Sequence, residues 1–112
     1  TPILVISPIL CPGAETTPGP TETPPGGQCR GTGTDETAAA GSLHLERVRA
    51  IIAEVVAARI SAGDEHLASL DGRELFGAAD VAAGDLPDGL HPNAAGYRRM
   101  GERFAGHPFL AG

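Results

Sequence analysis

The sequence predicts an α/β fold built on a parallel sheet, and three observations predict it. Ile3-Leu4-Val5-Ile6 is a continuous apolar run between Pro2 and Pro8, residues 45 to 60 carry apolar side chains at helical spacing, and a second short strand pattern follows around His66-Leu67-Ala68-Ser69-Leu70. Strand, helix, strand is the βαβ order, in which the two strands lie parallel with a right-handed crossover. A further helix opens at Pro92.

The first strand has no polar alternation, as expected of a strand buried on both faces of a parallel sheet. From Pro8 to about Gly41 the chain is rich in Pro, Gly and Thr, a loop far longer than the usual connection of about 4–6 residues. Leu45, Val48, Ile51, Ile52, Val55, Val56 and Ile60 then mark one face of an amphipathic helix over 42–61. Ser42 is its expected N-cap and Gly63 its stop. Glu46, Arg47 and Arg49 read as its solvated face. The turn pair Asp71-Gly72 closes the second strand, and residues 73–91 read as mostly irregular around an apolar knot at Leu75-Phe76. Pro92 is expected at the first helical position of the last helix, with Tyr97 and Phe104 in its core face.

With 112 residues and 41% apolar content the chain suits one small domain. Its net charge of −6, with eight arginines and no lysine, disfavours nucleic acid and a polybasic membrane contact. No apolar run approaches the roughly 20 residues of a membrane span. The compartment stays open between cytoplasm and secretion. Thr1-Pro2-Ile3 leads straight into an apolar strand, and two parallel strands make no stable sheet unaided. The expectation is therefore a fragment whose remaining N-terminal strands lie upstream or in another chain. Cys11 and Cys29 share the long loop; a bridge between them would be worth about 3 kcal/mol in the chain-entropy model, and two free thiols are the equal alternative.

In a parallel sheet, functional groups gather at the carboxyl ends of the strands. Here that edge holds Ser7, then Asp71-Gly72, then the loop from Asp85 to His91. Asp88 lies three residues before His91 across a glycine, a spacing at which a turn folds the carboxylate onto imidazole Nδ1. A base that takes a proton at Nε2 needs such a partner to fix its tautomer and stabilise its cation. Asp-x-x-His alone is weak, since six Asp and four His give about 0.2 chance occurrences in this length, and the following proline makes the pattern far rarer.

The longer text, Asp88-Gly89-Leu90-His91-Pro92-Asn93-Ala94-Ala95-Gly96-Tyr97, resembles the last block of the SGNH hydrolases, the GDSL-type lipases and esterases. Thr1 to Pro8 resembles that family's penultimate strand, and the strand near residue 68 its last. The resemblance implies the C-terminal part of a flavodoxin-like three-layer α/β/α fold with its N-terminal strands missing, so that residues 1–112 are one fragment of a single domain and 8–41 its long loop. It implies a carboxylic-ester hydrolase with His91 as general base and Asp88 orienting it, a small-molecule ester as substrate, and no metal or organic cofactor. It also implies that the nucleophile lies outside this chain, because the family's Gly-Asp-Ser and Gly-x-Asn-Asp motifs are absent. Ser7, Ser42, Ser61 and Ser69 stand in no nucleophile motif.

Asp85, Asp88 and His91 at i, i+3, i+6 would be a meagre metal set with a single histidine, and Asp85 otherwise has no role. His44, His66 and His107 read as surface or packing residues. A non-catalytic piece that completes a partner's sheet is the rival to the enzyme. A flavodoxin-like binding module would need a phosphate-cradling loop, which the stiff Pro8–Pro12 segment does not supply.

Overall fold

The computed structural model describes residues 1–111 and is a mixed α/β arrangement with two small sheets. Strand β1 (Ile3–Ile6) pairs in parallel with β4 (Leu67–Leu70), Ile3 opposite Leu67 and Ile6 opposite Leu70. Between them runs α2 (Leu45–Ser61), which packs on β4, so the expected βαβ unit is present. Beyond the sheet come α3 (Ala78–Ala82), α4 (Ala94–Ala105) and α5 (Pro108–Ala111). Among the described residues no helix is long and apolar enough to cross a membrane.

The long loop is more ordered than its composition suggests. A short antiparallel hairpin, β2 (Thr21–Glu22) with β3 (Arg30–Gly31), and a capped turn of helix, α1 (Asp35–Ala39), occupy it. Its anchor is Arg49. Expected on a solvated helix face, this side chain is only 7% exposed: its guanidinium donates to the Glu15 carboxylate at 2.5 and 2.9 Å and to the carbonyls of Pro8 and Ile9. Burial works to raise the Glu15 pKa, but the hydrogen bonds from Arg49 and from the Cys11 amide outweigh it and hold the group below the usual carboxylate range. The ion pair pins the segment after β1 against α2. An apolar-periodicity rule assigns such a residue to water because it cannot see a carboxylate 34 positions away.

Three helix boundaries differ from expectation for one physical reason, the choice of cap. His44, not Ser42, caps α2, its Nδ1 accepting the Arg47 amide at 3.1 Å. Asn93 caps α4, its side-chain oxygen accepting the Gly96 amide at 2.9 Å, so Pro92 stands outside the helix instead of at its first position. In the span read as irregular, Gly77 opens α3 and the Asp80 carboxylate accepts its amide. Tyr97, expected in the core, is 54% exposed. The knot at Leu75-Phe76 is confirmed as core, Phe76 being fully enclosed.

Gly72 is required at the end of β4. A Cβ there would run into the backbone carbonyl of Ser7, while the Gly72 amide donates to Ser7 Oγ at 3.0 Å. The two strand ends are thereby locked together.

Candidate functional site

Residues 85–91 form a chain of tight turns ahead of α4. Gly89 has φ +76°, a conformation that side-chain-bearing residues rarely adopt, and a Cβ at this position would also press on Gln28 and Cys29. This reversal lets the Asp88 carboxylate fold back over the following residues. Its Oδ1 accepts the amides of Leu90 and His91 at 2.8 and 2.7 Å, and its Oδ2 lies 2.7 Å from His91 Nδ1. The side-chain bond from His91, then the two amides, hold Asp88 well below the usual carboxylate range. An ionised carboxylate only accepts, so Nδ1 carries a proton, and in a neutral imidazole that leaves Nε2 as the acceptor. The His91 side chain is 69% exposed, and among the described residues no hydrogen-bond partner engages Nε2.

The outer face of the turn is held by the long loop. The Cys29 amide donates to the Asp88 carbonyl at 2.6 Å, Gln28 Nε2 donates to the Pro87 carbonyl at 2.6 Å, and the Cys11 thiol donates to the Gly89 carbonyl at 2.8 Å. Cys11 and Cys29 are both buried, free thiols in one small cluster with Ala14. Burial, and next the adjacent Cys29, push the Cys11 thiol up to about 11, so it stays protonated at neutral pH.

Asp85, given no role by sequence, is buried and sits in a second constellation. Its carboxylate takes a hydrogen bond from Asn93 Nδ2 at 3.0 Å and an ion pair from Arg99, and its carbonyl accepts the Asn93 amide. Arg99 also reaches Asp80 at 3.1 Å, and Arg103 joins the Asp80 carboxylate to the Leu75 carbonyl. Hydrogen bonding from Arg103, against the opposing effect of burial, keeps Asp80 well below the usual range. Arg99, then Asn93, does the same for Asp85. These bonds fasten the mouth of α4 to the turn that bears His91. The sequence signal was available: Arg99 and Arg103 lie one helical turn apart on α4 and share a face.

The remaining candidates separate. Asp85 faces Arg99 rather than the Asp88–His91 pair, and among the described residues no group of three or more His, Cys, Asp or Glu side chains is placed to hold a metal. Ser7 is buried with its hydroxyl engaged by Gly72. No hydrogen bond links His91 to Ser7, Ser42, Ser61 or Ser69. His44 is a cap, and His107 accepts the Phe109 amide and stacks on Phe104. What results is a histidine with an oriented ring whose Nε2, among the described residues, is hydrogen-bonded to no hydroxyl. Compared with protein-family models, with curated proteins and with solved structures, the chain matches none of them.

Proposed function

We propose that the chain supplies the acid-base half of a serine ester hydrolase of SGNH type. The observation that carries this reading is the Asp88–His91 pair: a 2.7 Å bond to Nδ1, a carboxylate further fixed by two backbone amides, and an exposed Nε2. In the reaction, Nε2 takes the proton of a serine hydroxyl from outside these residues as that oxygen attacks the ester carbonyl. The C–O bond to the alcohol breaks, and His91 returns the proton to the departing alkoxide. His91 then deprotonates water, which splits the acyl-enzyme to the free acid and serine. Asp88 holds the ring and offsets the imidazolium charge, which the N-terminus of α4 would otherwise disfavour.

The alternative, a piece that only completes another sheet, has one observation in its favour: β1 is paired on a single side and leaves Ile3 and Ile6 exposed. It does not account for the Asp88–His91 geometry. The deciding experiment uses the complete protein that contains this chain. His91→Ala is expected to lower kcat by on the order of 10³-fold or more with little change in KM, because proton transfer matters in the transition state and not in binding. Full turnover in a folded His91→Ala protein would refute the assignment.

A further inference from the structure

Cys11 and Cys29 stand in the middle of the backing that holds the histidine turn. The Cys11 thiol donates to the Gly89 carbonyl at 2.8 Å and the Cys29 amide to the Asp88 carbonyl at 2.6 Å, so two carbonyls of the turn are held by residues whose side chains share one buried cluster. Their segments pack closely: a Cβ on Gly13, just beyond Cys11, would overlap the Cys29 carbonyl oxygen. Both are free thiols, and neither takes part in the proton transfers assigned to His91. We propose that Cys11 and Cys29 are a modification site for a small peroxide, which joins them in a disulfide, and that the bridge releases the turn bearing Asp88 and His91.

Although Cys11 and Cys29 are only 6% and 2% exposed, both line an open cavity of about 280 Å³ together with Ile9, Leu45 and Leu90. Hydrogen peroxide, little larger than a water molecule of about 30 Å³, enters such a space. One sulfur, as thiolate, attacks a peroxide oxygen; the O–O bond breaks, the departing hydroxide takes up the proton as water, and a sulfenic acid remains. The second sulfur attacks the sulfenic sulfur, the S–S bond forms, the S–O bond breaks, and a second water leaves with the second proton. The thiols lose two electrons and the peroxide gains them. Burial keeps the Cys11 thiol protonated at neutral pH, so the reaction is slow and needs peroxide in excess. Once bonded to Cys29, Cys11 has no S–H to donate. The Gly89 carbonyl accepts no other hydrogen bond among the described residues, so the reversal at φ +76° loses its donor. The bridge meanwhile closes part of the long loop and raises the stability of the whole fold. A looser turn in a more stable protein is the signature.

In the test, the purified protein is treated with excess hydrogen peroxide, denatured and digested without reduction. Trypsin alone leaves both cysteines in residues 1–30, because Arg30 is the first arginine, so cleavage after Glu15 and Glu22 is added. Expected in the mass spectrum are a Cys11 peptide and a Cys29 peptide joined, lighter by two hydrogens than their sum, and parted again by dithiothreitol. Two intact thiols, separate sulfinic acids or bridges between molecules overturn the site. The effect on the turn is read by hydrogen exchange at the Leu90 and His91 amides, which donate to Asp88 Oδ1. Oxidation should speed both severalfold, the worth of one hydrogen bond, while raising the melting temperature. Cys11→Ala should exchange like the oxidised protein without any peroxide. Cys11→Ser keeps a donor for Gly89 and cannot be bridged, so it should exchange like the reduced protein before and after peroxide; it decides the matter if Cys11→Ala does not fold. Unchanged or slower exchange on oxidation overturns the release of the turn. No ester has to turn over in any of these measurements, so their outcome is independent of the hydrolase reading.

Discussion

Asp85 and Asp88 are the same residue type three positions apart, and the fold employs them oppositely. The Asp85 side chain is 11% exposed and spends its oxygens on Arg99 and Asn93; the Asp88 side chain is 37% exposed and spends its own on the His91 ring and two amides of its own turn. Both are held ionised, yet by different partners: a guanidinium for Asp85, an imidazole for Asp88. A guanidinium does not release its proton in the working range, so the Asp85 bond is a fastening. An imidazole does, so the Asp88 bond is suited to a cycle in which charge appears and disappears. Depressed acidity therefore does not by itself mark a reactive carboxylate; the partner's chemistry does.

Conservative amide replacements break this comparison most directly. On the proposed hydrolase reading, Asp88→Asn is expected to cut kcat by on the order of 10²-fold while the melting temperature hardly moves, since the ring can still be held but in the wrong tautomer. Steady-state kinetics beside a thermal melt read both. Asp85→Asn should show the reverse pattern: a melting temperature lower by several degrees, because Arg99 loses one of its two charge partners, with kcat reduced less than about tenfold. Equal kinetic damage from the two would mean that the carboxylates act as one unit.

The smallest effect is on pH dependence. Asp80, Asp85 and Asp88 all have folded-state pKa values below their unfolded ones, so each contributes stability that is fully present above the unfolded carboxylate value of about 4 and is lost as pH falls toward the folded values. Stability measured by urea unfolding should be level from pH 7 to about 5 and decline below about 4. In Asp85→Asn that decline should be shallower, because one linked proton is gone. An unchanged slope would place the acid-sensitive groups elsewhere.

Local text made the dyad legible. Asp88, Gly89, Leu90 and His91 are consecutive in a turn, and their geometry follows from backbone rules that span four residues. The elements β1 and α2 were legible because the apolar pattern of each is a property of a contiguous window. What escaped was pairwise and distant: Arg49 with Glu15, Asp85 with Arg99, and Cys29 with the Asp88 carbonyl. Nothing in the spacing around Arg49 distinguishes a buried ion pair from a solvated one. The caps were misplaced for a related reason, since Ser42, His44 and Asn93 can each accept an amide and only the approach of the chain decides which does.

The bonds that steady the histidine turn have a kinetic side. Gln28 with Pro87 and Cys11 with Gly89 join positions 59 and 78 residues apart. Asp88 and His91 can meet in any collapsed chain, but the backing that immobilises them closes only after loops of that size have closed, which places the rigid turn late in folding and raises the contact order of the domain. The same arithmetic makes the spacer forgiving. Because closure entropy grows with the logarithm of length, doubling such a loop costs only about 0.6 kcal/mol. Inserted residues around Gly41, where the chain is exposed and turns with φ +110°, should therefore leave the turn's backing intact.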